Sequence, residues 1–173
     1  MMNLVLGYPN LSKADFDWIQ GLRRAHDKLY GVVKPHFTLV FPTNKLPLDD
    51  FVKHIESKIV KRSKITIKLT QAIVVEDDSK TFYHTFLVPT EGKQDIIELH
   101  DLFYTEDLAS ELRQDIPFIP HVGIGTDTSK EEMQKLADYI NTTSPNIEGS
   151  IEALTIVGFD GKHVNDIKQI ELR

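Results

Sequence analysis

Two stretches of this chain repeat one pattern, Pro35-His36-Phe37-Thr38-Leu39-Val40 and Pro120-His121-Val122-Gly123-Ile124-Gly125. In each, a histidine follows a proline and then apolar residues alternate with small or polar ones. Period-two alternation marks a strand with one buried and one open face. It predicts Phe37, Leu39 and Phe41 in the core, with His36, Thr38 and Val40 opposite. In the second copy it predicts Val122 and Ile124 inward, with His121, Gly123 and Gly125 on the open side. A strand repeated in this way constrains the fold most when it recurs at the same place in two successive series of elements.

The order of elements meets that condition. Leu4 to Tyr8 reads as a first strand. Ser12 with Asp15 resembles a helix start, and Phe16, Trp18, Ile19, Leu22 and Ala25 supply a buried stripe. Val32 to Phe41 is the first histidine strand. Pro47-Leu48-Asp49-Asp50 opens a helix carrying Phe51, Val52, Ile55 and Ile59, and Ile65 to Val75 alternates as a strand. After the polar turn Glu76 to Lys80 the series restarts. A strand from Phe82 to Val88 leads to a helix from Gln94 to about Phe103, with a short helical piece near Leu108 to Leu112. The second histidine strand, Ile119 to Gly125, follows. Ser129 with Glu132 then caps a helix bearing Met133, Leu136, Ala137 and Ile140. Ile147 to Gly158 and Val164 to Leu172 close the chain around the Gly158-Phe159-Asp160-Gly161 turn.

The expected fold class is therefore α/β (α+β): duplicated β-α-β-α-β units related by a pseudo-two-fold axis around a central cleft. No Pro/Ser/Gly linker separates them. We expect a single bilobal domain over residues 1–173, with an N-terminal half of 1–78 and a C-terminal half of 79–173. The histidine strand is the middle strand of each unit, so the duplication brings two imidazoles to one cleft. Imidazole both gives and takes protons near neutral pH, which suits a general acid–base pair.

Composition narrows the chemistry. The absence of cysteine removes disulfides, thiolate nucleophiles and cysteine-based metal sites. A formal charge of −6 disfavours broad phosphate-tracking surfaces, so no extended nucleic-acid surface is expected. The N-terminus lacks a basic leader and no apolar run reaches membrane-spanning length, giving the expectation of a cytoplasmic monomer without a membrane partner. No His-x-His, His-Glu-x-x-His, P-loop or Gly-x-Gly-x-x-Gly motif occurs, so neither a metal nor a cofactor is expected.

At the two Pro-His stretches the chain resembles the two-histidine (2H) phosphoesterase superfamily, in its 2′-5′ RNA ligase-like branch. The family carries a pair of His-x-Thr/Ser-x motifs. His36-Phe37-Thr38-Leu39 matches in full, whereas His121-Val122-Gly123-Ile124 has glycine where a hydroxyl residue is expected. The resemblance spans essentially the whole chain. It implies a metal-independent phosphodiesterase acting on 2′,3′-cyclic phosphates, 2′-5′-linked nucleotides or RNA ends, with a small nucleotide or RNA terminus as substrate. It further implies His36 and His121 as catalytic residues, with Thr38 and Gly123 at the substrate phosphate. By analogy His36 donates the proton and His121 accepts one; the sequence itself leaves that order open. The alternative is a non-catalytic nucleotide-binding module that retains the fold.

The remaining histidines read differently. His26 and His54 fall at the edges of helical stripes and are expected in solvent, as is His163. His100 reads as a packing residue. For His84 and Tyr83 the alternation allows either face. Lys68 lies on a polar sheet face, and Thr126 can reach the cleft only if the strand ends or bulges after Gly125.

Overall fold

The computed structural model describes residues 1–173. Nine strands and four helices follow, in the expected order apart from the unforeseen β2 and the division of β7 from β8: β1 (Met2–Gly7), β2 (Asn10–Leu11), α1 (Lys13–His26), β3 (Phe37–Thr43), α2 (Leu48–Ile59), β4 (Ile65–Glu76), β5 (Tyr83–Glu91), α3 (Lys93–Phe103), a 3₁₀ turn (Glu106–Glu111), β6 (Val122–Asp127), α4 (Lys130–Thr142), β7 (Ile147–Ile151), β8 (Ala153–Phe159) and β9 (Val164–Glu171). Both capping signals act as read. Ser12 Oγ accepts from the Asp15 amide at 3.1 Å and Ser129 Oγ from the Glu132 amide at 3.3 Å, each satisfying a donor that the first helical turn leaves unpaired.

The strands form two antiparallel sheets, one of four strands in the order β3-β1-β8-β9 and one of five in the order β2-β7-β4-β5-β6. The duplication shows in their weave. The first two strands of the first series, β1 and β3, pair with each other, and their sheet continues through β8 from the second series. The matching strands β5 and β6 pair likewise, and their sheet continues through β4 from the first. One long strand of each series, β4 and β8, thus crosses into the other's sheet, and the two-residue β2 crosses with β4. Helices cross as well: α1 packs on β6 and α3 on β3. One hydrophobic cluster joins the two sheets, with Phe37, Leu39, Ile67, Leu87, Phe103 and Ile124 all fully buried within it. Burial of such side chains, at about 1.5–3 kcal/mol each, supplies most of the favourable free energy.

Three departures from simple alternation matter for the cleft. Leu6 pairs with Thr38 but Val5 with Val40, so Leu39 is a bulge. Phe86 pairs with Gly123 but Thr85 with Gly125, so Ile124 is the matching bulge in the second histidine strand. An extra residue in one strand reverses the faces beyond it. Val40 is accordingly buried and Phe41, expected in the core, is 46% exposed. Gly125, expected on the open face, is buried, and a Cβ there would meet Leu136 at 2.8 Å and His26 at 3.0 Å. A register shift between Leu69 and Gln71 does the same in β4, turning Ala72 inward and leaving Ile73 and Val75 half-buried.

Two further expectations change. The run from Ile147 to Gly158, read as one strand, is two, because the chain leaves the five-stranded sheet at Ile151 and joins the other at Ala153. Ala25, assigned to the buried stripe of α1, is exposed, whereas Arg23 is 1% exposed. Its guanidinium donates to Asp27 Oδ2 at 2.7 Å, Gln20 Oε1 at 2.8 Å and the Val33 carbonyl at 2.9 Å. That cluster fixes the irregular segment running from α1 to His36.

Candidate active site

Each motif histidine stands immediately before its strand, at the position ahead of Phe37 and of Val122. The two are held alike. His36 Nδ1 donates to the Lys34 carbonyl at 2.7 Å, and His121 Nδ1 to the Ile119 carbonyl at 2.6 Å. A carbonyl only accepts, so it holds the proton on Nδ1 and leaves Nε2 of each neutral imidazole with its lone pair free. The intervening Pro35 and Pro120 explain the repeat. A residue before proline is confined to extended backbone, which aims its carbonyl back at the ring two residues on.

His121 lies in the wall of a cavity of about 630 Å³, whose other walls include Phe41, His84, Phe86, His100 and Phe118. Its ring stacks on Phe86 with centroids 3.5 Å apart, and Phe86 stacks on His84 at 5.4 Å, so three rings lie nearly parallel along β5 and β6. Burial pushes His121 from its ordinary 6.5 down to about 4, and the neighbouring charges of His36 and His84 push the same way. His36 is lowered too, chiefly by burial, with the Lys34 carbonyl and Asp27 opposing. The effect of His36 on His121 places the two imidazoles in one electrostatic neighbourhood, although His36 and Thr38 are not among the residues lining the cavity. Tyr8, just past β1, meets the His36 ring edge-on at 6.4 Å.

The two residues expected at a substrate phosphate stand as follows. Thr38 is half-buried on the face that carries His36, and its hydroxyl bonds to no protein group. Gly123 has ordinary backbone, and a Cβ built there meets nothing within 4 Å. The Ile124 bulge brings Thr126 round opposite His84, where its Oγ1 lies 2.9 Å from His84 Nδ1.

The Leu39 bulge turns Phe41 onto the cavity, and His84, whose face the sequence leaves open, reaches it on the same side of β5 as Phe86. His100 does pack as expected, stacking on Phe118 at 3.7 Å while its Nδ1 donates to the Leu39 carbonyl. His54, expected in solvent, is 7% exposed: its Nε2 meets the Phe103 carbonyl at 2.8 Å and closes the end of α3. His26 and His163 are exposed as read. Lys68 pairs with Glu148 at 3.4 Å.

Residues 9–163 match the profile of the 2′-5′ RNA ligase superfamily. The chain belongs to that superfamily. A Staphylococcus haemolyticus protein named as a candidate phosphoesterase is 24% identical over 151 residues, covering 86% of both chains. A Thermus thermophilus structure superposes with a TM-score of 0.67 at 14% identity, covering 100% of this chain and 98% of that one. Escherichia coli LigT complexed with 3′-AMP superposes with a TM-score of 0.61 at 15% identity over 99% and 97% of the respective chains. These neighbours share the mixed α/β fold with its curled antiparallel sheets. For a member of the 2′-5′ RNA ligase superfamily, the paired Nδ1-to-carbonyl bonds are the feature that bears on chemistry.

Proposed function

We propose that the protein is a metal-independent phosphodiesterase acting on 2′,3′-cyclic phosphates or 2′-5′-linked nucleotides, with His36 and His121 flanking the reacting phosphate. The observation that carries this reading is the matched tether, which leaves both Nε2 atoms free to exchange protons. Burial holds His121 down to about 4, so it stays unprotonated in all but acidic solution, and we assign it as the base. Its Nε2 removes a proton from the attacking water as the new P–O bond forms. His36, protonated, gives its Nε2 proton to the departing ribose oxygen as the old P–O bond breaks. Ring opening thus consumes one water and leaves a phosphomonoester and a free hydroxyl. The net proton passes from one imidazole to the other and returns through solvent. Thr38 donates to a non-bridging oxygen as charge grows there, and Gly123 borders the same phosphate without a hydroxyl to offer.

The cavity supports a nucleotide as the substrate. Its volume is of the size that takes a nucleoside, and stacking on aromatic rings such as Phe41 and Phe118 is worth about 1–3 kcal/mol per base. Glu76, Asp77, Asp78 and Glu111 rim it, with Arg113 already paired to Asp78 and Asp115. That rim favours a small nucleotide or a chain terminus over a long polyanion.

Turnover of 2′,3′-cyclic AMP with a chelator present tests the proposal: the wild-type protein cleaves it, and His36→Ala and His121→Ala each lose nearly all activity. One observation favours a second reading, a module that binds nucleotide without cleaving it: both imidazoles are pushed below 6.5, which leaves the empty site without a proton donor at neutral pH. Saturable binding with no turnover between pH 4 and 8 would establish that module instead.

A further inference from the structure

The second motif lacks the hydroxyl that the first supplies through Thr38, and the structure holds another polar group beside the gap. Phe86 lies directly opposite Gly123 in the β5–β6 ladder, and His84 is two residues before Phe86 on the same face. A diagonal cross-strand neighbour of this kind has its Cβ about 7–8 Å away, within reach of a long or aromatic side chain. Nothing fills the space at Gly123 itself. We propose that His84 is a third imidazole of the phosphate site, donating its Nε2–H to a non-bridging phosphate oxygen on the side where Gly123 offers no hydroxyl. The proposal rests on the reading that His36 and His121 flank that phosphate.

The hydrogen bonding of the three rings separates their duties. His36 and His121 face carbonyls through Nδ1 and must keep the proton there, so Nε2 is the atom of each that exchanges protons. His84 Nδ1 instead faces the Thr126 hydroxyl at 2.9 Å. A hydroxyl can donate, which lets Nδ1 accept and puts the single proton of a neutral ring on Nε2. His84 Nε2 has no protein partner, and its ring lines the same cavity as His121. Only a neutral ring in that tautomer offers an anion a hydrogen bond without first having to be protonated. The stack through Phe86, with steps of 5.4 and 3.5 Å, fixes the separation of His84 from His121. Because the three rings are nearly parallel, both imidazoles stand on one wall of the cavity, on either side of Phe86. The Ile124 bulge is what makes the arrangement possible, because it turns Thr126 toward His84.

Nitrogen-detected NMR of the imidazoles reads the assignment without turnover. In the presence of saturating inorganic phosphate, His84 is expected as the Nε2–H tautomer with a phosphate-dependent Nε2 shift, while neutral His36 and His121 are Nδ1–H. An Nδ1–H form of His84, or an Nε2 that ignores phosphate, overturns the proposal. Kinetics on 2′,3′-cyclic AMP supply the second arm. His84→Ala should lower kcat on the order of 100-fold, the size expected for one oxyanion donor. His84→Gln, which keeps a donor, should lose far less, and Gly123→Thr placed in the His84→Ala background should recover tenfold or more. A merely structural histidine would not be rescued by a hydroxyl on the neighbouring strand. Inactive His36→Ala and His121→Ala beside a fully active His84→Ala removes the His84 assignment alone. Active His36→Ala and His121→Ala removes the acid–base reading beneath it.

Discussion

Replacing Phe86 with alanine should raise the proton affinity of His121. The phenyl ring covers one face of that imidazole at 3.5 Å, and burial is the first cause of the fall from 6.5 to about 4. At about 1.4 kcal/mol per pH unit, the whole displacement corresponds to about 3 kcal/mol of discrimination against the charged ring. Opening one of the two faces to water should return about a third to a half of that, moving the midpoint up by roughly one pH unit. The sign for stability follows from the same shift. A histidine whose folded pKa is depressed resists protonation only while folded, so its contribution is complete above pH 6.5 and is lost as pH falls toward 4. Phe86→Ala should therefore flatten the loss of stability between pH 6.5 and 4, even though it lowers stability at pH 7 by leaving a gap beside the ring. Titration of the His121 imidazole C–H resonance measures the midpoint directly, and urea unfolding at pH 4.5 and 7 measures the linkage. An unchanged midpoint in a folded Phe86→Ala protein would show that the stack is not what keeps water and charge from His121.

Four other outcomes follow from the same geometry. Because both imidazoles lie below 6.5 in the free protein, the kcat/KM profile should peak on the acid side of 6.5, losing the acid His36 as pH rises and the base His121 as pH falls toward 4; a maximum above pH 7 would contradict it. Thr38→Val nearly conserves volume and should cut kcat on the order of 100-fold with little loss of stability by thermal unfolding. Gly123→Thr should fold at least as stably as the wild type, since its Cβ meets open space and threonine favours strands; a marked fall in Tm would refute that placement. Arg23→Met leaves Asp27 buried without its partner, at a cost of about 3–5 kcal/mol. It should also weaken turnover by loosening the segment that carries His36, as activity assays at a temperature where the variant remains folded would show.

What could be read from the sequence was whatever depends on local pattern. The capping pairs Ser12–Asp15 and Ser129–Glu132, the helical stripes and the repeated Pro-His strands all concern residues a few positions apart. The faces of Phe41, Gly125 and Thr126 were not legible, because a bulge is defined by two strands and the partner strand is distant in the chain. His54 was misread for a similar reason: its burial comes from the Phe103 carbonyl on another helix, which no periodicity in α2 reveals. The crossing of β4 and β8 belongs to the same class, since alternation says that a strand exists and not whose neighbour it is.

That crossing bears on motion. Enzymes with two lobes commonly admit substrate by swinging about a hinge, a few residues absorbing the rotation. Here β4 and β8 stitch each sheet to the other's series, so a swing would have to tear backbone ladders instead of bending a connector. The placement of β3 relative to β6, the strands that follow the two histidines, is thereby set by the weave before any substrate arrives. Accommodation falls to what lies outside the ladders, chiefly the segment from Glu111 to Ile119 over the cavity, tied across its mouth by Arg113 and Asp78.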